Sequence, residues 1–146
     1  LTLSVMNTRM KLGGKSIPLP TDQRFALNLY FTDYFPGTTR WRMSLKLAYA
    51  DGLPFSAPHR ELESNSFRAP AYKRADIGMS YKLFDNGERD RKSPFRNVWV
   101  GVDCLNLFGI NNVNSYYWIT DVTGQQYAVP NYLTGRQINA RVLFEF

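Results

Sequence analysis

The last eleven residues, 136–146, constrain this chain most. Ile138, Ala140, Val142, Phe144 and Phe146 are apolar, and Gln137, Asn139, Arg141 and Glu145 between them are polar, with Leu143 the one exception. A period of two makes the segment a β-strand with one face in an apolar medium and the other in a polar one. The alternation does not say whether the apolar medium is lipid or protein, because both present one apolar face.

The same period recurs upstream. Residues 1–10 alternate loosely, with Leu1, Leu3 and Val5 on one face. In 25–34, Phe25, Leu27, Leu29 and Phe31 share a face. In 41–49, Trp41, Met43, Leu45, Leu47 and Tyr49 oppose Arg42, Ser44, Lys46 and Ala48. In 74–84, Ala75, Ile77, Met79, Tyr81 and Leu83 oppose Arg74, Asp76, Gly78, Ser80 and Lys82; in 97–108, Val98, Val100, Val102 and Cys104 oppose Asn97, Trp99, Gly101 and Asp103. Six amphipathic strands are therefore predicted, which makes the chain all-β and antiparallel. Short turns are expected at Pro36-Gly37, suited to a positive φ, and around Asn86-Gly87. Residues 11–22, with Pro18 and Pro20, are expected to be a loop, since two prolines two apart cannot serve a central ladder. Residues 51–71 and 110–135 are long connections, the second carrying a small hairpin near Tyr116 and Gly124. Long connections alternating with short ones are the habit of outer-membrane barrels.

Composition bears on which classes are excluded. Eighteen basic and twelve acidic side chains give a formal charge of +6, but the basic residues are scattered through strands and turns and form no helical stripe, so nucleic acid is not an expected partner. The lone Cys104 rules out an internal disulfide and a thiolate metal cluster, and reads as a buried apolar thiol. No apolar run reaches the eighteen residues of a membrane helix, which leaves barrels open. The opening Leu1 lies inside a strand pattern, so the chain reads as part of a longer one.

Several separated stretches carry a family likeness. Asn28-Leu29-Tyr30-Phe31-Thr32-Asp33-Tyr34-Phe35-Pro36-Gly37-Thr38 resembles the carboxy-terminal barrel of TonB-dependent outer-membrane receptors of the Bacteroidetes type. The run from Leu47 to Phe55 is similar to it as well, as are Phe67 to Tyr72, Asn106 to Asn112, and the ending from Tyr132 through Phe146. The resemblance implies a transmembrane β-barrel of 22 strands in the bacterial outer membrane, closed by an amino-terminal plug, of which residues 1–146 would be the last six strands. It implies long extracellular loops, short periplasmic turns, and energy-dependent import of a large scarce solute such as a metal complex or a glycan. Expected partners are the rest of the barrel and its plug, TonB through the amino-terminal region, the barrel assembly machinery and the lipid bilayer. Val142, Phe144 and Phe146 match the signal that the assembly machinery reads.

Candidate sites follow. Arg42, Lys46, Arg74, Asp76 and Arg141 fall on the polar faces of their strands, where they would line a lumen and contact plug or solute. His59, Arg60, Tyr116, Tyr117 and Trp118 lie in long connections, where charge and rigid aromatic area suit extracellular contacts, though packing of the loops on themselves explains them equally. His59 has no metal-spaced partner. Asp76 and Asp103 could be a catalytic acid pair, but salt links to Arg74, Arg42 or Arg141 are the ordinary explanation. No Ser-His-Asp set and no phosphate-cradling glycine motif can be placed, so neither an enzyme nor a cofactor is expected. Two alternatives remain beside import: a soluble all-β surface or carbohydrate-binding domain, and, less favoured, an outer-membrane enzyme.

Overall fold

The computed structural model describes residues 1–56, 67–85 and 95–146. Within them the chain is all β, with strands β1 (Thr2–Val5), β2 (Arg9–Leu12), β3 (Lys15–Pro18), β4 (Phe25–Tyr34), β5 (Trp41–Ala50), β6 (Pro54–Phe55), β7 (Phe67–Arg68), β8 (Tyr72–Asp85), β9 (Asn97–Leu105), β10 (Val113–Thr120), β11 (Gln126–Tyr132) and β12 (Gln137–Glu145). Six strands are hydrogen-bonded side by side in the order β1-β4-β5-β8-β9-β12, and β2-β3, β6-β7 and β10-β11 form two-stranded ribbons. β1 and β12 stand at the ends of that order and do not pair with each other, so among the described residues the six-stranded sheet is open and no closed barrel forms.

All five strongly alternating segments are strands close to where the sequence places them, because a period-two pattern is a local property that any pairing partner can exploit. Pro36-Gly37 makes the expected turn: Thr38 N–H donates to the Phe35 carbonyl at 3.1 Å, and Gly37 has φ 79°. Pro at the first central position and a positive-φ Gly at the second are the demands of a type II turn. β9 stops at Leu105, short of the expected Phe108, because Asn106 adopts φ 52° and turns its N–H to the Asp76 carboxylate at 2.8 Å. The predicted turn at Asn86-Gly87 lies outside the described residues.

Three expectations are corrected. Residues 1–10 are two strands, β1 and the start of β2, rather than one. Residues 11–22 are mostly a hairpin: Gly13 (φ 56°) and Gly14 (φ 80°) form a two-residue turn, and Leu12 pairs with Lys15. Pro18 is tolerated as the last residue of β3 because a two-stranded ribbon has only edge strands. The hairpin in the last long connection is longer than expected, pairing Val113 with Tyr132 and Thr120 with Gln126.

The chain divides into two compact units. The first comprises Leu1–Asn28, Ala48–Lys73 and Ile110–Gly135, and so gathers the loop expected at 11–22 with the two long connections expected at 51–71 and 110–135. The second comprises Leu29–Leu47, Arg74–Gly109 and Arg136–Phe146.

In the second unit the register sets the faces. Ile77, Cys104 and Ile138 stand side by side across β8, β9 and β12, as do Met79, Val102 and Ala140, and then Tyr81, Val100 and Val142. The alternate positions align Gly78 with Asp103 and Asn139, Ser80 with Gly101 and Arg141, and Lys82 with Trp99 and Leu143. One face is thus apolar and much of it exposed: Val102 is 53 % exposed, Val142 57 % and Ile138 72 %. Every residue of β12 is exposed, on both faces, because this edge strand has a neighbour only in β9. Cys104 sits on the apolar face and is half-buried rather than buried.

Candidate functional site

The polar face of the second unit brings together four of the five charged residues expected to line a lumen. Lys46, Arg74, Asp76 and Arg141 surround a concavity of about 330 Å³, together with Tyr30, Asp103 and Asn139. Two ion pairs organise it. Arg74 Nε donates to Asp76 Oδ1 at 2.6 Å, and Arg141 Nη1 lies 3.0 Å from Asp103 Oδ2 while its Nη2 donates to Ser80 Oγ at 3.0 Å. Asp76 and Asp103 are therefore each paired with an arginine, Arg74 and Arg141 of the salt links expected from the sequence. Two glycines leave room for these side chains. A Cβ at Gly78 would collide with the Asp103 carboxylate, and one at Gly101 would come within 3.0 Å of Arg141 Nε.

The fifth residue, Arg42, is engaged elsewhere on the strands. Its guanidinium carbon lies 5.1 Å from the centre of the Trp99 ring, and Lys82 Nζ lies 5.1 Å from the same ring. Trp99, 7 % exposed, is among the few buried apolar residues in the described part of the chain, and Tyr34 packs against it at 6.4 Å. Sequence reasoning placed Trp99 on the polar face without giving it a role. Its size among Asn97, Gly101 and Asp103 was the available signal.

The first unit holds a different kind of site. Phe55 on β6 stacks on Tyr116 of β10, with ring centres 4.7 Å apart and 20° between planes, and also packs on Phe67 at 5.7 Å. Phe55 and Tyr116 border a groove of about 320 Å³ whose lining includes Pro20, Leu53, Ala69, Asn114, Ser115 and Trp118, with no charged side chain among the described residues. Alternation along β10 separates the expected aromatic trio. Tyr116 and Trp118 line the groove, whereas Tyr117 points to the other face and is 62 % exposed. His59 and Arg60 lie outside the described residues.

Beside the groove is a network that the sequence did not announce. Asp22, 2 % exposed, accepts the Thr8 N–H at 2.7 Å and Arg68 Nη2 at 2.6 Å. Arg68 Nη1 donates to the carbonyls of Asp22 (2.9 Å) and Gly52 (2.8 Å) and to Asp51 Oδ2 (3.3 Å). The Thr8 hydrogen bond first, and then Arg68, hold the Asp22 carboxyl below its usual 3.8 against the opposing effect of burial. Asp22 and Arg68 are 46 residues apart in segments without periodicity, so only a charge amid prolines hinted at either.

At the chain's end, Phe95 packs on Phe144 and Phe146, each at 5.2 Å, and Asn97 Nδ2 donates to Glu145 at 2.6 Å. Val142 and Phe144 stand on the apolar face of β12, and Phe146 is 85 % exposed. Among the described residues no group of three or more His, Cys, Asp or Glu is placed to hold a metal ion. Comparison with protein-family models, with curated proteins and with solved structures finds no match to this chain.

Proposed function

We propose that this chain is part of an outer-membrane β-barrel that imports a large solute, in the manner of a TonB-dependent receptor. The observation that carries the reading is the sheet of the second unit, whose one face is apolar and exposed at Ile77, Met79, Val102, Ile138 and Val142 while its other face holds paired charges. Water favours neither that much open apolar surface nor the unpaired edge of β12; lipid and a closing strand accommodate both. On this reading the six hydrogen-bonded strands β1, β4, β5, β8, β9 and β12 belong to a larger barrel of about 22, closed by strands and a plug from elsewhere in the protein. Lys46, Arg74, Asp76 and Arg141 contact plug or solute from the lumen, Arg42 braces Trp99, and Val142, Phe144 and Phe146 are read by the barrel assembly machinery. The aromatic groove of the first unit is the solute contact, with TonB acting through the amino-terminal region.

The test is fractionation of source cells, with mass spectrometry locating these residues and gel mobility compared before and after heating. A heat-modifiable protein of the outer membrane supports the reading. A soluble product extracted without detergent overturns it in favour of an all-β binding domain whose apolar face packs on a second sheet.

A further inference from the structure

We propose that Arg68, which does not line the aromatic groove of the first unit, is the residue that positions it and so sets what the groove admits. The inference rests on the groove being a solute contact. Apart from β10, the groove is made by three short pieces of chain: Pro20, the run beginning at Leu53, and Ala69. Arg68 ties all three. Pro20 is two residues from Asp22, which Arg68 holds by its carboxylate at 2.6 Å and its carbonyl at 2.9 Å. Leu53 follows Gly52, whose carbonyl takes Arg68 Nη1 at 2.8 Å. Ala69 follows Arg68 itself, and its N–H donates to the Leu53 carbonyl at 3.0 Å. The same pairing of β6 with β7 sets Phe55 opposite Phe67, and Phe55 is the ring stacked on Tyr116.

A guanidinium suits this post because its planar fork reaches several acceptors at once in a fixed geometry, which the single ammonium of lysine does not. The closeness of the pieces leaves no slack: a Cβ at Gly52 would collide with the Ala69 carbonyl oxygen. Because the groove's described lining is uncharged, Arg68 acts on a ligand through the spacing of the walls. The chemistry that fits is a neutral ring with hydroxyl groups, its flat face on Phe55, Tyr116 or Trp118 and its hydroxyls toward Asn114 and Ser115.

The experiment labels the whole protein, as its source makes it, with 5-fluorotryptophan and follows the fluorine signal of Trp118 in detergent, assigned by its loss in Trp118→Phe. The probe is 4-nitrophenyl β-glucoside, an uncharged ring compound. In Arg68→Lys the Trp118 signal should move without ligand, the Trp99 signal should stay, and the probe should bind at least about threefold more weakly. Asp22→Asn, which keeps both carbonyl contacts of Arg68, should change both readouts less and in the same direction. Probe-dependent shifts in the parent protein with an unchanged Trp118 signal and unchanged affinity in both variants would overturn the role of Arg68. A parent protein whose Trp118 ignores the glucoside overturns the groove as a ring-binding site, and the specificity role with it, while leaving the membrane reading to its own test.

Discussion

The two units of this molecule hold their charges in opposite ways. In the second, arginines and carboxylates pair across a regular ladder, where strand register alone brings Arg141 to Asp103 and local spacing brings Arg74 to Asp76. In the first, Arg68 gathers Asp22, Asp51 and Gly52 from irregular chain that no ladder holds in place. The difference teaches that charge on periodic backbone mainly furnishes a surface, whereas charge among aperiodic segments also ties distant pieces of chain together. It also separates the expected roles: a uniform wall on one side of the comparison, and a shaped recognition site on the other.

The comparison is sharpened most by charging the wall's apolar face. Val102→Arg should destabilise the protein in lipid by about 2–4 kcal/mol and leave the first unit's groove unchanged, as read by denaturant unfolding in vesicles. A negligible loss would mean that this face meets water. Next comes the polar face. Asp76→Ala removes an acceptor of the buried Asn106 N–H and a partner of Arg74, and should cost about 1–3 kcal/mol in the same assay. Smaller is Arg42→Ala, which leaves Lys82 on the Trp99 ring and should cost about 0.5–1 kcal/mol; a double-mutant cycle with Trp99→Leu should recover most of it as coupling.

The subtlest break is by acid. The Asp22 and Asp121 carboxyls, both in the first unit, lie below the usual 3.8, Asp22 chiefly through the Thr8 N–H and Asp121 chiefly through the Thr123 hydroxyl. A folded-state value below the unfolded one gives stability that is present in full above the unfolded value and lost as pH falls through the folded one. The amide proton shifts of Thr8 and Thr123 should therefore titrate with midpoints below 3.8. Midpoints at or above that value would show that neither carboxylate holds its loop.

Legibility in the sequence followed the same division. The strands of the second unit could be read because alternation is written residue by residue, and the turn at Pro36-Gly37 because its φ demand selects its residues. The β2–β3 hairpin escapes the proline argument, although Gly13-Gly14 signals such a turn, since Pro18 and Pro20 exclude only a central ladder and a two-stranded ribbon has none. The grouping of Tyr116, Tyr117 and Trp118 ignored the alternation that puts Tyr117 on the opposite face of β10. Asp22 and Arg68 left no pattern to read.

By itself, then, the sequence determined that this chain is antiparallel β, where its long strands run, and which of their faces is apolar, because side-chain direction along a strand depends only on local backbone geometry. Only the tertiary structure decided which charges meet. Register and loop closure set the distances between Arg68 and Asp22, between Arg141 and Asp103, and between Arg42 and Trp99, and an ion pair or cation–π contact exists only at such distances.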